Sequence, residues 1–91
     1  MRIIRSQKYL RNLDNLLEYI ASRDSVAKSI RFLNKLDKAV SSLSYMSYRY
    51  RKSYYYDDEN IRDLVFMGYT IPYLIDMDKI VILDIFKWSD R

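Results

Sequence analysis

Residues 61–87 read IRDLVFMGYTIPYLIDMDKIVILDIFK, and the fold class turns on how this stretch is read. Ile61–Met67, Tyr69–Ile75 and Lys79–Lys87 are short runs rich in β-branched and aromatic residues, which suit a pleated surface. Gly68 and Asp76-Met77-Asp78 join them by links so tight that the three runs are expected to form an antiparallel meander. Ile80-Val81-Ile82-Leu83 is apolar at successive positions and therefore on both faces, as in a central strand covered by helices. Pro72 has no N–H to give to a ladder, so the middle run is expected to be an edge there or to carry a bulge.

Upstream the period changes. From Ser6 to about Ala21 the apolar residues fall at Tyr9, Leu10, Leu13, Leu16, Leu17 and Ile20, a three-to-four spacing that predicts an amphipathic helix. A second helix is expected from about Ser25 to Leu43, with Val26, Ile30, Leu33, Leu36, Val40 and Leu43 facing the core. Lys28, Arg31, Lys35 and Lys38 lie largely on its other side, and Ser22 and Asp24 both suit its N-cap. A connector of about four residues makes the pair an antiparallel hairpin. Residues 2–5 are a candidate first strand. The expected architecture is α+β in the order β-α-α-β-β-β, a two-helix antiparallel hairpin on a small, mostly antiparallel sheet of three to four strands. Residues 1–91 make a single domain, near the lower size limit for one unstapled core.

The chain has neither cysteine nor histidine, which excludes disulfides, Cys/His zinc sites and catalysis by thiol or imidazole. Cationic residues interrupt the N-terminus where a signal peptide would be apolar, and no apolar run is long enough to span a membrane. A soluble, cytoplasmic protein is expected. Charge divides along the chain: residues 1–52 hold twelve Lys/Arg against four Asp/Glu, and residues 53–91 four against eight. The basic half suits a polyanion or an acidic partner, or is simply a solvated helix surface.

Between the two halves, residues 45–56 read YMSYRYRKSYYY and hold six of the ten tyrosines. Tyr48, Tyr50 and Tyr54 with Arg49, Arg51 and Lys52 combine stacking faces with phosphate-binding cations, a candidate nucleic-acid surface. Alternatively, the tyrosines cover the edge of the core. Asp57-Asp58-Glu59 is read as a solvated acidic turn and not a metal site, and no cofactor is expected. Arg62 sits one residue into an apolar strand, where a charge must meet solvent, a partner or a ligand. Either it faces water on the open sheet surface and pairs with Asp63 or Asp84, or it anchors a basic concavity there with Arg49, Arg51, Lys52 and Lys87.

In layout and in several short motifs the chain resembles the RelE/ParE superfamily of bacterial type II toxins. Tyr48-Arg49-Tyr50-Arg51 stands at the entry to the sheet. Ile61-Arg62-Asp63-Leu64 is similar to the family's "R-E-L" strand, Gly68–Tyr73 to its "G-Y-x-x-x-Y" hairpin, and Ile80–Lys87 to its final strand. The resemblance implies a growth-inhibiting toxin held inactive by a small, acidic, adjacently encoded antitoxin. It implies either ribosome-dependent, metal-independent mRNA cleavage or, as in ParE-like members, poisoning of DNA gyrase without a nuclease site. A non-enzymatic member that only binds its partner is a third option. For cleavage the resemblance points to Arg62, Lys52 and Lys87 as catalytic residues, Lys87 standing where many members have histidine. It also implies that a C-terminal catalytic segment is missing.

Overall fold

In a computed structural model that describes residues 1–87, the chain forms β1 (Arg2–Arg5), α1 (Gln7–Arg23), α2 (Val26–Ser42), β2 (Ile61–Phe66), β3 (Tyr69–Asp76), β4 (Lys79–Ile82) and β5 (Phe86–Lys87). The expected order and layering hold. The sheet runs β1-β4-β3-β2, with β1 parallel to β4, the other pairs antiparallel, and β5 paired to β3 beyond β4.

Serines set both helix starts. Ser6 Oγ accepts the Tyr9 N–H at 3.1 Å and Ser25 Oγ accepts the Lys28 N–H at 3.0 Å. The cap of α2 is thus Ser25, not Ser22 or Asp24. Ser22 bonds back to the Tyr19 carbonyl inside α1, which shortens the connector to Asp24-Ser25. The buried stripe of α2 is also rotated from the expected one. Val26 and Ile30 are exposed, while Ser29, Phe32, Leu36 and Val40 face inward. Phe32 draws the helix round by packing edge-on against Phe66 and Tyr69, each at 5.6 Å between ring centroids. Ser29, small enough for close approach, donates to the Leu17 carbonyl across the hairpin at 2.8 Å.

Leu36, Val40, Leu43, Leu64, Ile71, Tyr73, Ile80 and Ile82 are sealed between hairpin and sheet. As expected, β4 lies centrally, between β1 and β3. The long last run is broken, however, at Leu83–Ile85. There the buried Asp84 accepts the Ile85 N–H and the Asn12 amide, both at 2.7 Å, so a carboxylate replaces a stretch of ladder. That break also resolves Pro72, which is neither on an edge nor at a free border for an added strand. β3 is interior, and the Pro72 carbonyl accepts the Leu83 N–H at 2.9 Å on the β4 side. In a strand a residue's nitrogen points the same way as its carbonyl, so the missing N–H faces the irregular segment where no regular partner waits.

Candidate functional site

The segment after α2 returns along the outer edge of β2. The Ser53 N–H meets the Ile61 carbonyl at 2.8 Å and the Asp63 N–H meets the Arg51 carbonyl at 3.1 Å, with Lys52 opposite Arg62 in an antiparallel bridge. Residues paired across an antiparallel ladder share a face. Lys52 therefore shares the Arg62 side of the sheet, and Arg51 shares the Asp63 side.

Arg62 stands opposite Tyr73, which is fully buried in the core beneath the hairpin. This corrects the sequence reading, in which Arg62 was placed on the open sheet face. Its side chain lies on the covered face, half-buried at the rim, and neither Asp63 nor Asp84 neutralises it. Nη1 donates to the Tyr50 carbonyl at 2.8 Å and the guanidinium lies over the Tyr48 ring, 5.0 Å from its centroid. Nε is buried with no hydrogen-bond partner. Tyr73 in turn donates to the Ser47 carbonyl at 2.7 Å, and burial pushes its phenol up to about 12, with the nearby Arg62 charge opposing.

Across the sheet, the Asp63 carboxylate is wholly buried. Oδ2 accepts the Tyr54 N–H at 3.3 Å and lies 3.7 Å from Arg51 Nη1. Arg51 stacks on the Tyr54 ring at 3.8 Å, and Arg49 lies 5.7 Å from the Tyr50 centroid. Tyr48, Arg49, Tyr50, Arg51, Lys52, Tyr54 and Arg62 are thus brought to one rim of the sheet. Tyr48 and Tyr54 are largely exposed, while Tyr50 packs against the core.

Lys87 does not join them. It faces Tyr69 on the β5 flank of β3, whereas Arg62 faces Tyr73 on the β2 flank. Those four residues of β3 amount to roughly 13 Å along the strand. In the acidic turn, Asp58 serves the backbone, its carboxylate accepting the Asn60 N–H at 2.8 Å.

Two features escaped the sequence reading: the burial of Asp63 and the use of the Tyr50 carbonyl to hold Arg62. No pattern within β2 signalled the first, since Arg62-Leu64-Phe66 and Ile61-Asp63-Val65 each mix charged and apolar residues.

A family model described as "ParE toxin of type II toxin-antitoxin system, parDE" matches residues 3–90. The chain belongs to the ParE toxin family. It is the toxin of a type II toxin–antitoxin module, which implies a cognate antitoxin as its partner. Among solved structures it is similar to a chain from "Chromosomal ParDE TA system from P. aeruginosa", with a TM-score of 0.83 and 18% identity over 96% of this chain and 95% of that one. At that identity the likeness is one of fold. No curated protein matches the sequence. Among the described residues no helix is long and apolar enough to cross a membrane.

Proposed function

We propose that this toxin arrests growth by poisoning DNA gyrase and not by cleaving mRNA. The observation that carries the reading is the separation of Lys87 from Arg62, on opposite flanks of β3. Phosphodiester cleavage without metal or histidine needs its cations held around one phosphate. Of Arg62, Lys52 and Lys87, only Lys52 and Arg62 are neighbours, and Arg62 is engaged by the Tyr50 carbonyl and the Tyr48 ring. Membership of the ParE family supports the same target, because the gyrase-directed activity goes with the ParE-like members of the superfamily.

The test is a gyrase supercoiling reaction titrated with the purified chain. Inhibition with trapped cleavage complexes, relieved by the antitoxin, is expected, while primer extension on translated mRNA gives no new ends. Unimpaired supercoiling together with ribosome-dependent cleavage sites would overturn the proposal.

A further inference from the structure

Gyrase poisoning assigns no contact to the exposed rings of the tyrosine- and arginine-rich rim, whose geometry has a use of its own. Tyr48 and Tyr54 are 63% and 78% exposed, yet each has a guanidinium against one ring face, Arg62 at 5.0 Å and Arg51 at 3.8 Å. Both guanidinium groups are themselves fixed, Arg62 by the Tyr50 carbonyl and Arg51 by the buried Asp63 carboxylate. Each ring therefore has an anchored planar cation against one face and is otherwise largely open to solvent. A ring held this way loses little freedom when a flat partner lands on it.

The two platforms flank the edge ladder. Tyr48, Arg62 and Lys52 are on the hairpin side; Arg51 and Tyr54 are on the other. Lys52 is exposed between them, and a shallow hollow of about 500 Å³ opens beside it, lined by Lys52, Ser53, Tyr54 and Tyr55 among others. Every large exposed apolar residue from 43 to 60 is a tyrosine, so the rim offers flat faces and no aliphatic socket for a leucine of a docking helix. Asp57, Asp58 and Glu59 bound it at one end and would repel a backbone running that way.

We propose that the rim carrying Tyr48, Tyr54, Arg51 and Lys52 binds single-stranded nucleic acid, one base stacking on each outward ring and the cations contacting the phosphates between. Stacking of this kind accepts any base, and unpaired bases alone can present a face to it. DNA opened at a strand break and mRNA share that chemistry.

Fluorescence anisotropy with labelled oligothymidylate, oligouridylate and a duplex of equal length tests the proposal on the whole chain. Single strands are expected to bind and the duplex to bind more weakly, the DNA and RNA arms showing which source is preferred. Tyr48→Ala and Tyr54→Ala are each expected to weaken binding about tenfold, whereas Tyr→Phe at either position retains it, because the ring face and not the hydroxyl makes the contact. With two cations, Arg51 and Lys52, on phosphates, the slope of log affinity against log salt should be about −1.4. Tyr45→Ala is the control, since Tyr45 is 77% exposed and no guanidinium of the described residues lies over its ring. Unchanged thermal melts check that the variants fold.

No binding at physiological salt, preference for the duplex, or equal loss in Tyr45→Ala overturns the inference. So does a result in which the Tyr48 and Tyr54 variants lose the antitoxin while the parent binds no oligonucleotide; the rim is then a protein interface. The inference is independent of the gyrase reading. Inhibition of supercoiling by a chain that binds no oligonucleotide would refute it and leave that reading standing.

Discussion

Arg62 and Tyr73 face each other across β2 and β3, so a guanidinium and a fully buried phenol occupy the same, helix-covered side of the sheet. The sheet can tolerate this because the two groups find separate backbone partners, the Tyr50 carbonyl for Arg62 and the Ser47 carbonyl for Tyr73. Together they tie the segment between α2 and β2 to the sheet. Arg62 is in this sense a structural fastener of the rim.

Replacing Arg62 with Ala should therefore cost stability, by about 1.5–3 kcal/mol for a charge-assisted bond to a carbonyl left without its donor. Urea denaturation would give the value. Under the gyrase reading, inhibition per folded molecule should fall much less than the folded fraction does.

The Asp63 carboxylate makes Arg51 matter more than an ordinary surface cation. Arg51→Ala leaves a buried carboxylate with the Tyr54 N–H as its remaining donor. Arg51 is itself partly exposed and solvent-screened, so the expected loss is about 1–2 kcal/mol, below the figure for a fully buried pair. A double-mutant cycle with Asp63→Asn should recover part of that loss and measure the coupling.

Alkali should unfold the chain through its buried phenols. Burial raises Tyr9 and Tyr73 from 10.0 to about 12, so the unfolded chain releases these protons first as pH rises. Stability is then fully present below pH 10 and is lost as pH climbs through 10 to 12. Urea midpoints measured across that window should fall, and Tyr73→Phe should flatten the fall while costing about 1 kcal/mol at neutral pH through its lost bond.

Both sheet hairpins turn on a methionine in the left-handed region, Met67 at φ 49 and Met77 at φ 57. Gly68 follows at φ 85, so residues 67 and 68 both have the positive φ of a type I′ turn. Met67→Asn, which creates the preferred Asn-Gly pair, should stabilise by about 0.5–1 kcal/mol. Met77→Gly should do the same, since Met77 is 91% exposed and loses no packing. Each should raise the melting temperature by about 4 °C in a domain of this size.

Much of the fold was legible from the sequence because it rests on local periodicity. The three-to-four spacing from Tyr9 to Ile20 and the β-branched runs after Ile61 each specify an element from neighbours alone, and the short links Gly68 and Asp76–Asp78 fix antiparallel pairing. The charge asymmetry and the lack of histidine and cysteine limited the chemistry in the same way. What the sequence could not decide was which side of the sheet each residue of β2 takes, since Arg62-Leu64-Phe66 and Ile61-Asp63-Val65 are both mixed. Arg62 and Tyr73 lie eleven residues apart in the chain, so their pairing required the register of β3 to be known. Tertiary structure alone placed Arg62 beneath the hairpin rim, buried Asp63 under the returning segment, and set Lys87 on the far flank of β3. A period of two defines two faces; only packing against the helices chooses which one is dry.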